Sequence, residues 1–159
     1  MAQIAIEIVN FIDRLYTTFY ENASPKCKDV TRVMPLPNNK VLFVDDDVAL
    51  TDTAKDALPI YGFTVYAANS ADIALQMLKD GLRPAVMCTD IVMPGGTGVN
   101  LAKEVSHSYP EIKILLVTGS DDQVTSSNTR SGFEVMGKPY LFSSLSRKLT
   151  QLLETPTGD

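Results

Sequence analysis

Short, almost unbroken apolar runs alternate with helical patterns from Asn38 onward, and this alternation constrains the fold more than any other feature. "KVLFVD" (40–45), "FTVYAA" (63–68), "AVMCTD" (85–90), "KILLVTG" (113–119) and a short "FEVMG" (133–137) read as strands. Between them the 3.6-residue period marks helices at Val48–Tyr61, Ser70–Asp80 (capped by Ser70), Val99–Tyr109 and Leu141–Leu153. The last turns Leu141, Leu145, Leu149 and Leu152 inward, and Pro59 ends or kinks the first. Strands that are apolar throughout must be covered on both faces, and helical crossovers make their neighbours parallel. The expected fold is a doubly wound α/β domain with a five-stranded parallel sheet.

A chain of 159 residues holds one such domain and a short extension. Ile4, Ile8, Phe11, Ile12, Leu15 and Phe19 share one helical face over residues 4–20, with Glu7, Asn10, Arg14 and Thr17 opposite. Residues 21–40 are rich in Pro, Asn, Lys and Ser and read as a linker. The division is therefore 1–37 for the amphipathic helix and linker, 38–155 for the main domain and 156–159 for a tail. The helix is expected to pack on its own domain or on a copy of itself, giving a homodimer, because too few basic residues accompany it for membrane binding.

A net charge of −5 with no Lys/Arg cluster argues against direct nucleic-acid contact and against an anionic membrane. Glu7 and Asp13 interrupt the apolar N-terminus, which lacks the basic leader of a secretory signal. Cys27 and Cys88 form neither a disulfide framework nor a metal-ligand spacing, so a reducing, cytoplasmic compartment is expected.

Ligands of open parallel sheets bind beyond the carboxyl ends of the strands. Those ends carry Asp45 and Asp46, then Asp90, Thr118, and Lys138 followed by Pro139. Like charges about 4 Å apart repel by about 4 kcal/mol at an effective dielectric near 20, so gathered acids call for a cation. Mg²⁺ takes oxygen ligands and needs only one or two carboxylates, which Asp45, Asp46 and Asp90 can supply. Asp90 can also accept a phosphoryl group as an acyl phosphate, with Lys138 and the metal neutralising charge on its oxygens. Asp47 suits a helix N-terminus, and the only histidine, His107, reads as a surface residue late in its helix.

The motifs "FVDDD", "TDIVMPGGTG", "LLVTGS" and "GKPY", in this order, resemble the receiver domain of two-component response regulators, the chemotaxis-Y-like family. The resemblance implies a flavodoxin-like fold, a three-layer α/β sandwich. It implies that Asp90 is phosphorylated by a histidine kinase or histidine phosphotransfer protein in a Mg²⁺-dependent reaction. Asp46 resembles the direct metal ligand, Asp45 an acid acting through water, and the Val92 backbone carbonyl a further metal oxygen. Thr118 and Lys138 take the switch and phosphate-pairing roles. Such a phosphoacceptor is autocatalytic and not a conventional enzyme. Two features depart from the family. The aromatic residue usual three positions before the lysine is Val135, and "SDDQVTSSNTRS" (120–131) is too polar for a full helix. Two alternatives stand beside this reading: a haloacid-dehalogenase-like phosphatase, which also uses an Asp nucleophile and Mg²⁺, and a degenerate receiver acting as a dimerisation scaffold.

Overall fold

The computed structural model describes residues 38–94, 96–119 and 132–154. The expectations for residues 1–37, 120–131 and 156–159 lie outside these residues. The described chain runs β1 (Lys40–Val44), α1 (Val48–Ala57), β2 (Thr64–Ala68), α2 (Ala71–Lys79), β3 (Val86–Asp90), β4 (Val92–Met93), β5 (Gly96–Thr97), α3 (Gly98–Ser108), β6 (Lys113–Thr118), β7 (Glu134–Gly137) and α4 (Phe142–Glu154). Five strands form one sheet in the order β2-β1-β3-β6-β7, all parallel, while β4 and β5 make a separate antiparallel ribbon.

Alternation along the strands divides the core into two layers. Leu42, Val44, Met87, Ile114 and Leu116 face Ala74 and Leu78 of α2 and Leu101, Ala102 and Val105 of α3. Val41, Phe43, Val86, Cys88, Leu115 and Val117 face Ala54 of α1 and Leu145 and Leu149 of α4. Both faces of β1, β3 and β6 are therefore dry, which is why these strands read as continuous apolar runs.

Local chemistry sets the boundaries. Asp47 caps α1, its side chain accepting from the N–H groups of Ala49 and Leu50 at 2.9 and 3.2 Å. The α-helix stops at Ala57 and tightens into a 3₁₀ turn, Leu58–Tyr61, with Pro59 in its first turn. Gly62, at φ 88°, then reverses the chain into β2, a left-handed conformation that favours glycine. Ser70 caps α2 and Thr97 caps α3 through their hydroxyls.

One residue expected to face inward lies outside the core. Leu141 is 71% exposed, because α4 starts one residue later and the Leu141 carbonyl receives the N–H groups of Ser144 and Leu145. Leu145 and Leu149 are fully buried and Leu152 is partly so. No described helix is long and apolar enough to cross a membrane.

Candidate functional site

The tips of β1, β3, β6 and β7 meet at one end of the sheet. Asp45 follows β1 directly and is tied to the neighbouring strand by a hydrogen bond from its N–H to the Ala68 carbonyl at 3.2 Å. Its side chain is buried, and both carboxylate oxygens are engaged. Oδ1 accepts from the Asp47 N–H at 3.0 Å, and Oδ2 accepts from Lys138 Nζ at 2.6 Å. Asp90 is the last residue of β3. Its Oδ1 accepts from the Val92 N–H at 3.1 Å, and its Oδ2 accepts from the same Lys138 Nζ at 2.7 Å. One ammonium thus bridges acids from two strands.

Lys138 follows β7 and is anchored by its own N–H, which donates to the Thr118 carbonyl at 2.6 Å. Its side chain is only 24% exposed. Burial pulls the ammonium pKa down, but hydrogen bonds to Asp45 and Asp90, with their charges, outweigh that cost and the net shift is upward. Lys138 therefore remains a cation throughout the neutral range.

Asp46 is exposed at the rim. One carboxylate oxygen from each of Asp45, Asp46 and Asp90 can be chosen so that all lie within 4.8 Å of one another. Among the described residues, three carboxylates against one ammonium leave two negative charges in this cluster. Repulsion between unit charges at such a distance is about 3–4 kcal/mol at an effective dielectric near 20. Hard oxygen donors with an uncompensated charge of this size fit a divalent cation such as Mg²⁺. Val92, on the ribbon, lies two residues past Asp90, and Thr118 ends β6 with its side chain buried. Every site residue expected from the sequence thus falls at a strand tip or on the loop beside one. His107 is exposed in the last turn of α3, and Val135 is half-buried on β7 beside Leu116.

Sequence reasoning missed Gly98. A Cβ there would lie 1.8 Å from the Asp90 carbonyl oxygen and 3.0 Å from Thr89 Oγ1, so α3 begins against the backbone of Asp90 in space that only glycine can leave. The available signal was a glycine directly after the capping Thr97, a position where helices do not ordinarily need one.

A family model described as the response regulator receiver domain matches residues 41–149. The chain belongs to that family. This is the first of the readings offered by the sequence: a receiver domain of two-component systems. The receiver is 29% identical over 117 residues to the sensor kinase CckA of Brucella abortus, covering 72% of this chain and 12% of that protein. A CheY-like response regulator receiver domain protein from Methanospirillum hungatei has a TM-score of 0.67 at 25% identity, over 74% of this chain and 94% of that one. The response regulator TrrA of Thermotoga maritima, solved in complex with Mg(2+)-BeF, has a TM-score of 0.64 at 25% identity, over 72% and 98%. The chain spans between 12% and 35% of the lengths of the first curated relatives it matches.

Proposed function

We propose that this receiver takes a phosphoryl group onto Asp90 from the phosphohistidine of a histidine kinase or histidine phosphotransfer protein, in a Mg²⁺-dependent reaction. The observation that carries the proposal is the shared ammonium: Lys138 Nζ at 2.6 Å from Asp45 and 2.7 Å from Asp90. In the transfer, a carboxylate oxygen of Asp90 attacks phosphorus and the P–N bond to the donor imidazole breaks. The electron pair stays on the ring nitrogen, which takes a proton from water.

Residues of this chain prepare the step in three ways. The Val92 N–H and Lys138 fix the Asp90 carboxylate in one orientation. Lys138 stays charged and can pass from a carboxylate oxygen to a phosphoryl oxygen as charge builds there. Thr118 offers a hydroxyl to a phosphoryl oxygen after transfer. Asp46, Asp90 and the Val92 carbonyl would hold Mg²⁺, with Asp45 acting through water. When bound, the ion supplies neutralisation of charge on the transferring group.

Asp90 is a stoichiometric acceptor, and the domain is not a turnover enzyme. Its output is an added charge of about −1.5 to −2 at the sheet rim. The acidic, cysteine-poor composition suits a cytoplasmic protein whose partners are other proteins, itself among them, and not nucleic acid or membrane. Incubation with MgCl₂ and acetyl phosphate followed by intact-mass measurement tests the assignment. Wild type should gain one phosphoryl group and Asp90→Asn none; an equal gain in both refutes Asp90 as the acceptor.

A further inference from the structure

Asp46 is the exposed acid of the cluster, and no side-chain hydrogen bond or ion pair holds it among the described residues. Its position is set by the backbone around it. That backbone is pinned from outside. The Asn69 amide, in the turn after β2, donates one hydrogen to the Asp45 carbonyl at 3.3 Å and the other to Thr51 Oγ1 at 3.0 Å. Thr51, 1% exposed, donates its own hydroxyl hydrogen to the Val48 carbonyl at 2.9 Å. An unbroken polar chain thus runs from residue 45 through Asn69 and Thr51 to residue 48, closing over Asp46 and Asp47.

This hydrogen-bonded path has a task. The Asp45 carbonyl and the Asp46 N–H belong to one rigid peptide plane, so holding the carbonyl fixes the plane that enters Asp46. The orientation of the Asn69 amide is also determined, because both of its hydrogens meet acceptors and a flipped amide would oppose oxygen to the Asp45 carbonyl. We propose that Asn69 and Thr51 are positioning residues for Mg²⁺ capture, bracing the bend that presents Asp46. The proposal rests on the reading above, in which Asp46 is a ligand to the ion.

Titration of the receiver with MgCl₂, followed by backbone amide resonances, tests the brace without any phosphoryl donor. Dispersed spectra before addition confirm folding of each variant. Residues behind metal ligands typically contribute 10–100-fold to affinity, and the lower end suits a partly exposed brace. Thr51→Val and Asn69→Ala should each weaken Mg²⁺ binding about tenfold, while Thr51→Ser, which keeps the hydroxyl, should bind within about twofold of wild type. The double variant should be no weaker than Asn69→Ala alone, because one chain is broken either way. Wild-type affinity in both single variants overturns the brace, and so does a double variant whose loss is the product of the two single losses. A wild-type protein that does not respond to millimolar MgCl₂ overturns the metal reading itself, which separates the two failures.

Discussion

Replacing Gly98 with alanine tests how tightly the phosphoacceptor is clamped. The added methyl would sit 1.8 Å from the Asp90 carbonyl oxygen, where real contacts hold to at least 3.0 Å, so about 1.2 Å must be found. Neither side yields easily. Asp90 belongs to the central strand β3, paired on both sides, and its carbonyl also receives the Thr89 hydroxyl at 3.2 Å. The first turn of α3 is fastened by the Gly98 N–H to the Ile91 carbonyl at 2.9 Å. Overpacking of this kind costs about 1–3 kcal/mol. The better helix propensity of alanine returns up to about 1 kcal/mol, so a net loss of about 1–2 kcal/mol is expected in urea unfolding. The chemical loss should be larger, because a misplacement of about 1 Å at a reacting group can cost on the order of 100-fold in rate. Labelling by acetyl phosphate and MgCl₂, timed by intact mass, should slow at least tenfold in Gly98→Ala. A variant that labels at the wild-type rate and unfolds at the wild-type urea midpoint would refute the clamp.

Lys138→Met should abolish labelling and destabilise the fold by about 2–4 kcal/mol, toward the low end of the cost of stranding a buried carboxylate since Lys138 keeps some solvent contact. The raised Lys138 pKa gives the ion pair a defined pH window. Its contribution is complete below the unfolded value of about 10.4 and disappears as pH rises through the higher folded value, so the variant should lose stability less steeply above pH 10 in urea titrations. Tyr140→Phe should be neutral or stabilising by about 1 kcal/mol at pH 7, because the buried Tyr140 hydroxyl has no partner among the described residues. Burial, chiefly, also pushes the Tyr140 pKa up, so this variant should retain more of its neutral-pH stability on the alkaline side; a clear loss at pH 7 would reveal a partner for that hydroxyl.

The sheet was legible because β1, β3 and β6 are buried on both faces, which leaves "VLFV", "AVMC" and "ILLV" with no polar interruption. The acids were legible for the same reason: a charged residue closing such a run marks a strand tip. Helix ends were less so. Leu141 lies in leucine register with Leu145 and Leu149, and only the cap geometry reveals that its side chain precedes the helix. The ribbon of β4 and β5 has two residues per strand, too few for a period to show. Asn69 and Thr51 were invisible as a pair, since a single polar residue carries no pattern and their contact joins positions 18 apart.

Lys138 serves two acids with one nitrogen, and this makes it an arbiter between distant parts of the chain. Asp45 and Lys138 are 93 positions apart, and Asp90 lies 48 from the lysine, yet a single ammonium hears both. Whatever draws it toward Asp90 loosens its hold on Asp45, so the loop after β1 learns of an event at β3 through one shared proton donor, with no helix required to move.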